Sequence, residues 1–158
     1  MITNHNPEIN PKAFLRMITI IYGALLVGQT LFAVVVYSIA INPVLNLKPV
    51  NDIFFYLVPV FVIAMGFTGS LLYKKRIENA RGAATVKEKI AGYQTAVITR
   101  LAPSEGATLF AIVIFMQGWN LYYLAIAALN IIYFLVLRPS RAKIEEDLNL
   151  SYDEKVQI

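Results

Sequence analysis

Glu105 is the residue in this chain with the most chemical reach, because a carboxylate within an apolar run is costly unless it is functional or neutralised by a partner. It stands in the stretch Arg100-Leu101-Ala102-Pro103-Ser104-Glu105-Gly106, at the start of the apolar run Ala107 to Met116. Three roles follow. Glu105 is a proton or cation carrier, a structural hydrogen-bonding residue paired with Gln29, Tyr56 or Asn130, or a contact to a partner subunit carrying a complementary charge. Arg100 precedes it by five residues, which an ideal helix turns into about 140° of rotation, so the two do not pair directly. Pro103 and Gly106 are expected to bend or break the helix, freeing backbone groups for an ion or an anionic group.

The rest of the chain offers little other chemistry. There is no cysteine, which removes disulfides, thiolate catalysis and cysteine-based metal sites, and the single histidine, His5, lies in a polar N-terminal tail. No glycine-rich phosphate loop and no Ser–His or Cys–His pairing is present, so neither an enzyme nor a bound metal or cofactor is expected. Net charge is +4, but the basic residues flank apolar runs instead of forming a stripe with interleaved aromatics. That distribution speaks for membrane topology and against nucleic acid.

The elements that must position Glu105 are membrane helices. The chain has 158 residues, 58% apolar and only 15% charged, against about 45–50% and about 25% in soluble domains. The apolar residues come in blocks, and the pattern predicts an all-α polytopic bundle with four spans at about 17–41, 53–73, 98–117 and 121–137. Residues 1–138 then form a transmembrane domain of two hairpins, and 139–158 a cytoplasmic tail. The first run is too long for a signal peptide's apolar core of roughly 7–15 residues. Gly23, Gly28 and Gln29 within it suggest close helix packing, with Gln29 needing an interhelical partner. Asn42-Pro43 ends it, and Asn51-Asp52 reads as the cap of the second span, which Pro59 is expected to kink gently. Gly66, Gly69 and Ser70 form a further small-residue face there.

Lys74-Lys75-Arg76 are expected to stop the second span, and with Arg81 they make a basic cluster suited to anionic lipid or to a partner. From Thr85 the pattern is again helical, either interfacial or a cytoplasmic extension of the third span. Counting back from Gln117, Glu105 lies roughly 18 Å deep, near the middle of a core about 30 Å thick. Arg100 lies roughly 25 Å along the same count, where its side chain reaches the interface. Gly118 and Asn120 suit a tight turn, and Trp119, Tyr122 and Tyr123 suit the head-group level. With four spans, all of the 14 Lys and Arg except Lys48 and Arg100 share one side, so both termini are expected in the cytoplasm. The tail reads as a short helix opened by Pro139, then a capping box at Ser151–Glu154, suited to docking on a partner.

In span count, length and its single midplane carboxylate, Glu105, the chain resembles the V-type proteolipid ring subunits. It lacks their glycine-rich inner helices and their two related hairpins, since its eight glycines are scattered. The small multidrug transporters place their glutamate in the first span, and here it falls in the third. The stretch from Tyr93 through Arg100, Glu105-Gly106 and Leu109-Phe110 to Arg138-Pro139 resembles uncharacterised four-span bacterial membrane proteins. That resemblance implies the bacterial inner membrane and transfers no activity. No second acidic group lies within the spans to form a relay with Glu105. The expected role is therefore an accessory or assembly subunit of a larger inner-membrane complex, with lipid and other membrane subunits as partners. A small homo-oligomeric proton- or cation-coupled carrier using Glu105 is the alternative.

Overall fold

The computed structural model describes residues 11–48 and 52–156, so His5 and Asn51 lie outside the described residues. The protein is built from helices: α1 (Pro11–Ser38), α2 (Phe54–Arg81), α3 (Val86–Gly118), α4 (Leu121–Val136), α5 (Arg141–Asp147) and α6 (Tyr152–Val156). Among the described residues there are no strands, only an isolated bridge between Val44 and Asn120. α1 from Ala13, α2 and α3 are each long and apolar enough to cross a membrane. α4 has 16 residues, about 24 Å of helix, and reaches spanning length only if counted with α5, from which it is bent by 75°.

α3 is the central element, packed against α1, α2 and α4. It folds back on α2 as a tight hairpin, with Gly69 against the Arg100 backbone, Gly92 against Ala80, and the Phe61 and Phe110 rings 4.9 Å apart. α4 returns along α3 in a second hairpin, tied by Asn130 to the Ser104 region. α1 runs parallel to α3 and meets α4 where the Tyr22 hydroxyl donates to the Phe134 carbonyl at 3.3 Å. Its buried residues Phe14, Ile18, Tyr22, Gln29 and Val36 recur at helical spacing, one narrow stripe, and most of its remaining surface is exposed.

Several boundaries move from the sequence reading, each for a physical reason. Lys74-Lys75-Arg76 do not end α2, because lysine and arginine are good helix formers; the helix continues to Arg81 and stops at Gly82. For the segment after Thr85, the structure agrees with one of the two sequence readings, a helical extension of the third span. It is the first part of α3, opened by a capping box in which the Thr85 side chain accepts from the Glu88 N–H and the Glu88 carboxylate from the Thr85 N–H. The expected helix break at Pro103 and Gly106 is absent: α3 is continuous across both. Pro103 has no N–H for the Thr99 carbonyl, and packing on three sides holds the helix through that gap. α1 ends at Ser38, three residues before the expected limit, where Asn42 takes a left-handed φ of 48° ahead of Pro43. In the turn after α3 the left-handed residue is Trp119, φ 51°, and not Gly118. Its N–H reaches the Phe115 carbonyl at 2.8 Å and its ring stacks edge-on against Phe115.

The tail docks on its own chain. Ser140, not Pro139, caps α5, accepting from the Lys143 N–H, and the Ser151–Glu154 capping box opens α6. Ile144, Leu148 and Leu150 are buried in the same apolar cluster as Phe14, Ile77, Ile90 and Tyr93. Tyr73 donates to the Asp147 carboxylate and Lys89 pairs with Glu154 at 2.6 Å. These contacts close the end of the bundle that carries most of the basic residues.

Candidate functional site: a mid-bundle polar layer

Four polar residues are buried halfway along the helices: Gln29, Ser104, Thr108 and Asn130. Half of this layer is satisfied. The Asn130 side-chain amide donates to the Ser104 carbonyl at 2.7 Å and to the Thr108 hydroxyl at 2.8 Å, and that hydroxyl donates back to the Ser104 carbonyl at 3.2 Å. Thr108 sits one turn after Ser104, so both present to α4 on one face. Their bonds lock the second hairpin in register.

The other half is open. Both polar atoms of Gln29 and the Ser104 hydroxyl are buried without a hydrogen-bond partner among the described residues. Native proteins rarely leave such groups unmatched. Near the ends of α1 and α3, Phe14 and Met17 line a cavity with Ile90 and Gln94. Two parallel helices rise equally per residue, so that pairing brings Gly28 and Gln29 level with Ser104 and Glu105. Glu105 is half-buried at the edge of this α1–α3 seam and has no hydrogen-bond or ion-pair partner among the described residues. A side chain at Gly28 would meet nothing within 4 Å, and the same holds at Gly23 and Gly106. The expected close packing of another helix against Gly23 and Gly28 is therefore not made among the described residues. Gly69 does serve that purpose, since a Cβ there would stand 3.0 Å from the Arg100 carbonyl oxygen.

Of the expected partners of Glu105, none is bonded to it. Asn130 is taken by Ser104 and Thr108, Tyr56 is exposed at the far end of α2, and Gln29 is level with Glu105 but unbonded. Arg100 points elsewhere. Its guanidinium lies over the Tyr73 ring at 4.9 Å, where it lines the basic end of the bundle with Lys74 and Arg81. Lys75 and Arg76 are exposed and line neither of the cavities there. Sequence reasoning missed Ser104, Thr108, Tyr73 and Asp147, and read Ser70 only as part of a small-residue packing face. The signal for Thr108 was its spacing of four from Ser104, and Tyr73 adjoins the basic run; nothing local marks Asp147, which is brought in by the tail.

The opposite end is held by a polar clasp. Asn120 accepts from the Asn46 and Tyr122 N–H groups, Tyr122 donates to the Phe55 carbonyl, and Tyr123 donates to Asp52. Asp52 also accepts from the Phe54 N–H at 3.0 Å, so it sits just ahead of the α2 start. No protein-family model, curated protein or solved structure matches the chain.

Proposed function

We propose that the chain is an accessory or assembly subunit of a larger bacterial inner-membrane complex, seated on a partner's transmembrane helix at the α1–α3 seam. The observation that carries this reading is Glu105: midway along α3, half-buried, and without a partner among the described residues. A charged side chain at that depth costs roughly 2.5–3.5 kcal/mol on insertion scales, so a donor from outside the chain is its natural complement. Gly28 leaves room beside it for a close helix approach. In this reading both termini and the basic end face the cytoplasm, as the distribution of Lys and Arg requires.

The carrier reading keeps one observation in its favour. Gln29 and the Ser104 hydroxyl, buried and unbonded at the level of Glu105, are groups that an ion or water would satisfy. Gentle detergent extraction followed by native mass measurement separates the two. Stoichiometric co-purification with other chains, lost in Glu105→Ala, is expected; a monodisperse homo-oligomer would overturn the subunit assignment. Proton-linked flux in reconstituted vesicles that vanishes in Glu105→Gln would establish the carrier.

A further inference from the structure

α2 and α4 both pack on α3 but touch each other little, and the gap between them is an apolar groove of about 550 Å³. Pro59, Val62 and Phe67 form one wall, and Ile126, Leu129 and Tyr133 the other. That volume is within the roughly 300–1,000 Å³ typical of small-molecule sites. The groove runs down α2 from Pro59 to Ser70, roughly 16 Å. At Ser70, whose hydroxyl lies 3.3 Å from that of Tyr133, it meets a second cavity of about 440 Å³.

The second cavity carries most of its lining charge as cations. Lys74, Arg81 and Arg100 line it together with Ser70, Glu78 and Asp147. Asp147 is already held by the Tyr73 hydroxyl, and its backbone carbonyl accepts from Arg81. The ion pairs Lys89–Glu154, Arg141–Glu145 and Lys155–Glu145 involve none of the three cations, and none of the three has a carboxylate within 4 Å among the described residues. The Arg100 Nε is buried with no hydrogen-bond partner among the described residues. An apolar slot at membrane depth, opening at its basic end onto cations with no carboxylate partner among the described residues, has the chemistry of one ligand class.

We infer that this α2–α4 groove binds an anionic phospholipid, an acyl chain lying between Pro59 and Tyr133 and the phosphate facing Lys74 and Arg100. The site differs from the general attraction of a basic surface for lipid, because it combines a shaped chain slot with cations set at one end of it. A partner helix seated in the groove would leave those cations unmatched.

The test uses the full chain in detergent, exchanged from bilayer discs containing equal phosphatidylglycerol and phosphatidylcholine, with bound lipid counted by native mass measurement. One phosphatidylglycerol retained in preference to phosphatidylcholine is expected. Lys74→Gln and Arg100→Gln should each lower its retention about fivefold. Lys75→Gln, whose side chain is exposed away from the cavity, should not. Gly66→Leu fills the groove and should lower retention with the cations intact. Thermal unfolding of each variant identifies any loss caused by misfolding, and Lys74, exposed on α2, keeps the charge test independent of packing. Equal retention of the two lipids, an equal loss in Lys75→Gln, or a second protein chain displaced by Gly66→Leu would overturn the assignment.

Discussion

A buried amide in a membrane bundle contributes to stability only when its donors find acceptors, and Asn130 finds two on α3. Asn130→Ala is therefore expected to lower the unfolding free energy in mixed micelles by about 1–2 kcal/mol. Glu105→Gln should leave it within about 0.5 kcal/mol, since the carboxylate has no partner among the described residues to lose. If both substitutions destabilise equally, Glu105 has a structural role inside the chain and the subunit reading loses its support. The sequence identified Glu105, Gln29 and Asn130 as polar residues out of place, and all three lie in the middle third of the bundle. It did not say which of them bond. That depends on azimuth: Ser104 and Thr108 face α4, whereas Glu105 is rotated to the edge of the α1 seam.

At the scale of elements, the α2–α3 hairpin depends on close approach. A Cβ at Gly92 would stand 2.6 Å from the Ala80 Cβ, closer than two side chains can come. Gly92→Ala is expected to destabilise by about 1–3 kcal/mol through overpacking, despite alanine's better helix propensity. Gly106→Ala meets nothing within 4 Å and should instead stabilise by up to about 1 kcal/mol. The same unfolding assay reads both, and a common sign would refute the hairpin geometry. The tail is held partly by charge. The hydrogen bond from Lys89 holds the Glu154 carboxyl below its ordinary value of 4.5. A carboxyl with a lowered folded value contributes stability above its ordinary range and loses it as pH falls through the folded value. Amide protection in α6, corrected for intrinsic exchange, should therefore be flat from pH 5 to 7 and fall below about pH 4. Lys89→Gln should weaken that dependence, leaving the part due to the Ser151 N–H bond to the same carboxylate; an unchanged pH profile in the variant would assign it to another group.

For the whole molecule, the helix directions place the Ser140 region and Lys48 at opposite ends of the bundle. Residues 44 and 46 pair with the α3–α4 turn, and the tail covers the ends of α2 and α3. The chain has no native cysteine, so single cysteines at Lys48 and Ser140 give a clean accessibility assay. In sealed vesicles of known orientation, a membrane-impermeant thiol reagent should label one and not the other, and the proposed topology puts Ser140 on the cytoplasmic side. Labelling from the same side would contradict a helix count of four spans.

The sequence by itself determined the class of structure, because long apolar blocks bounded by clustered charges have one economical solution, helices in a bilayer. It also located the capping box at Ser151, whose chemistry is complete within four residues. Only the tertiary structure decided that α3 stays whole through Pro103, because its neighbours supply support that local propensity cannot. It also decided that the tail closes its own bundle, because Asp147 and Glu154 meet Tyr73 and Lys89 across more than sixty residues of chain. The pairing of Arg100 with Tyr73 and the isolation of Glu105 have the same origin. Each depends on how far a helix is rotated about its axis, which neighbouring helices fix and a single strip of sequence does not.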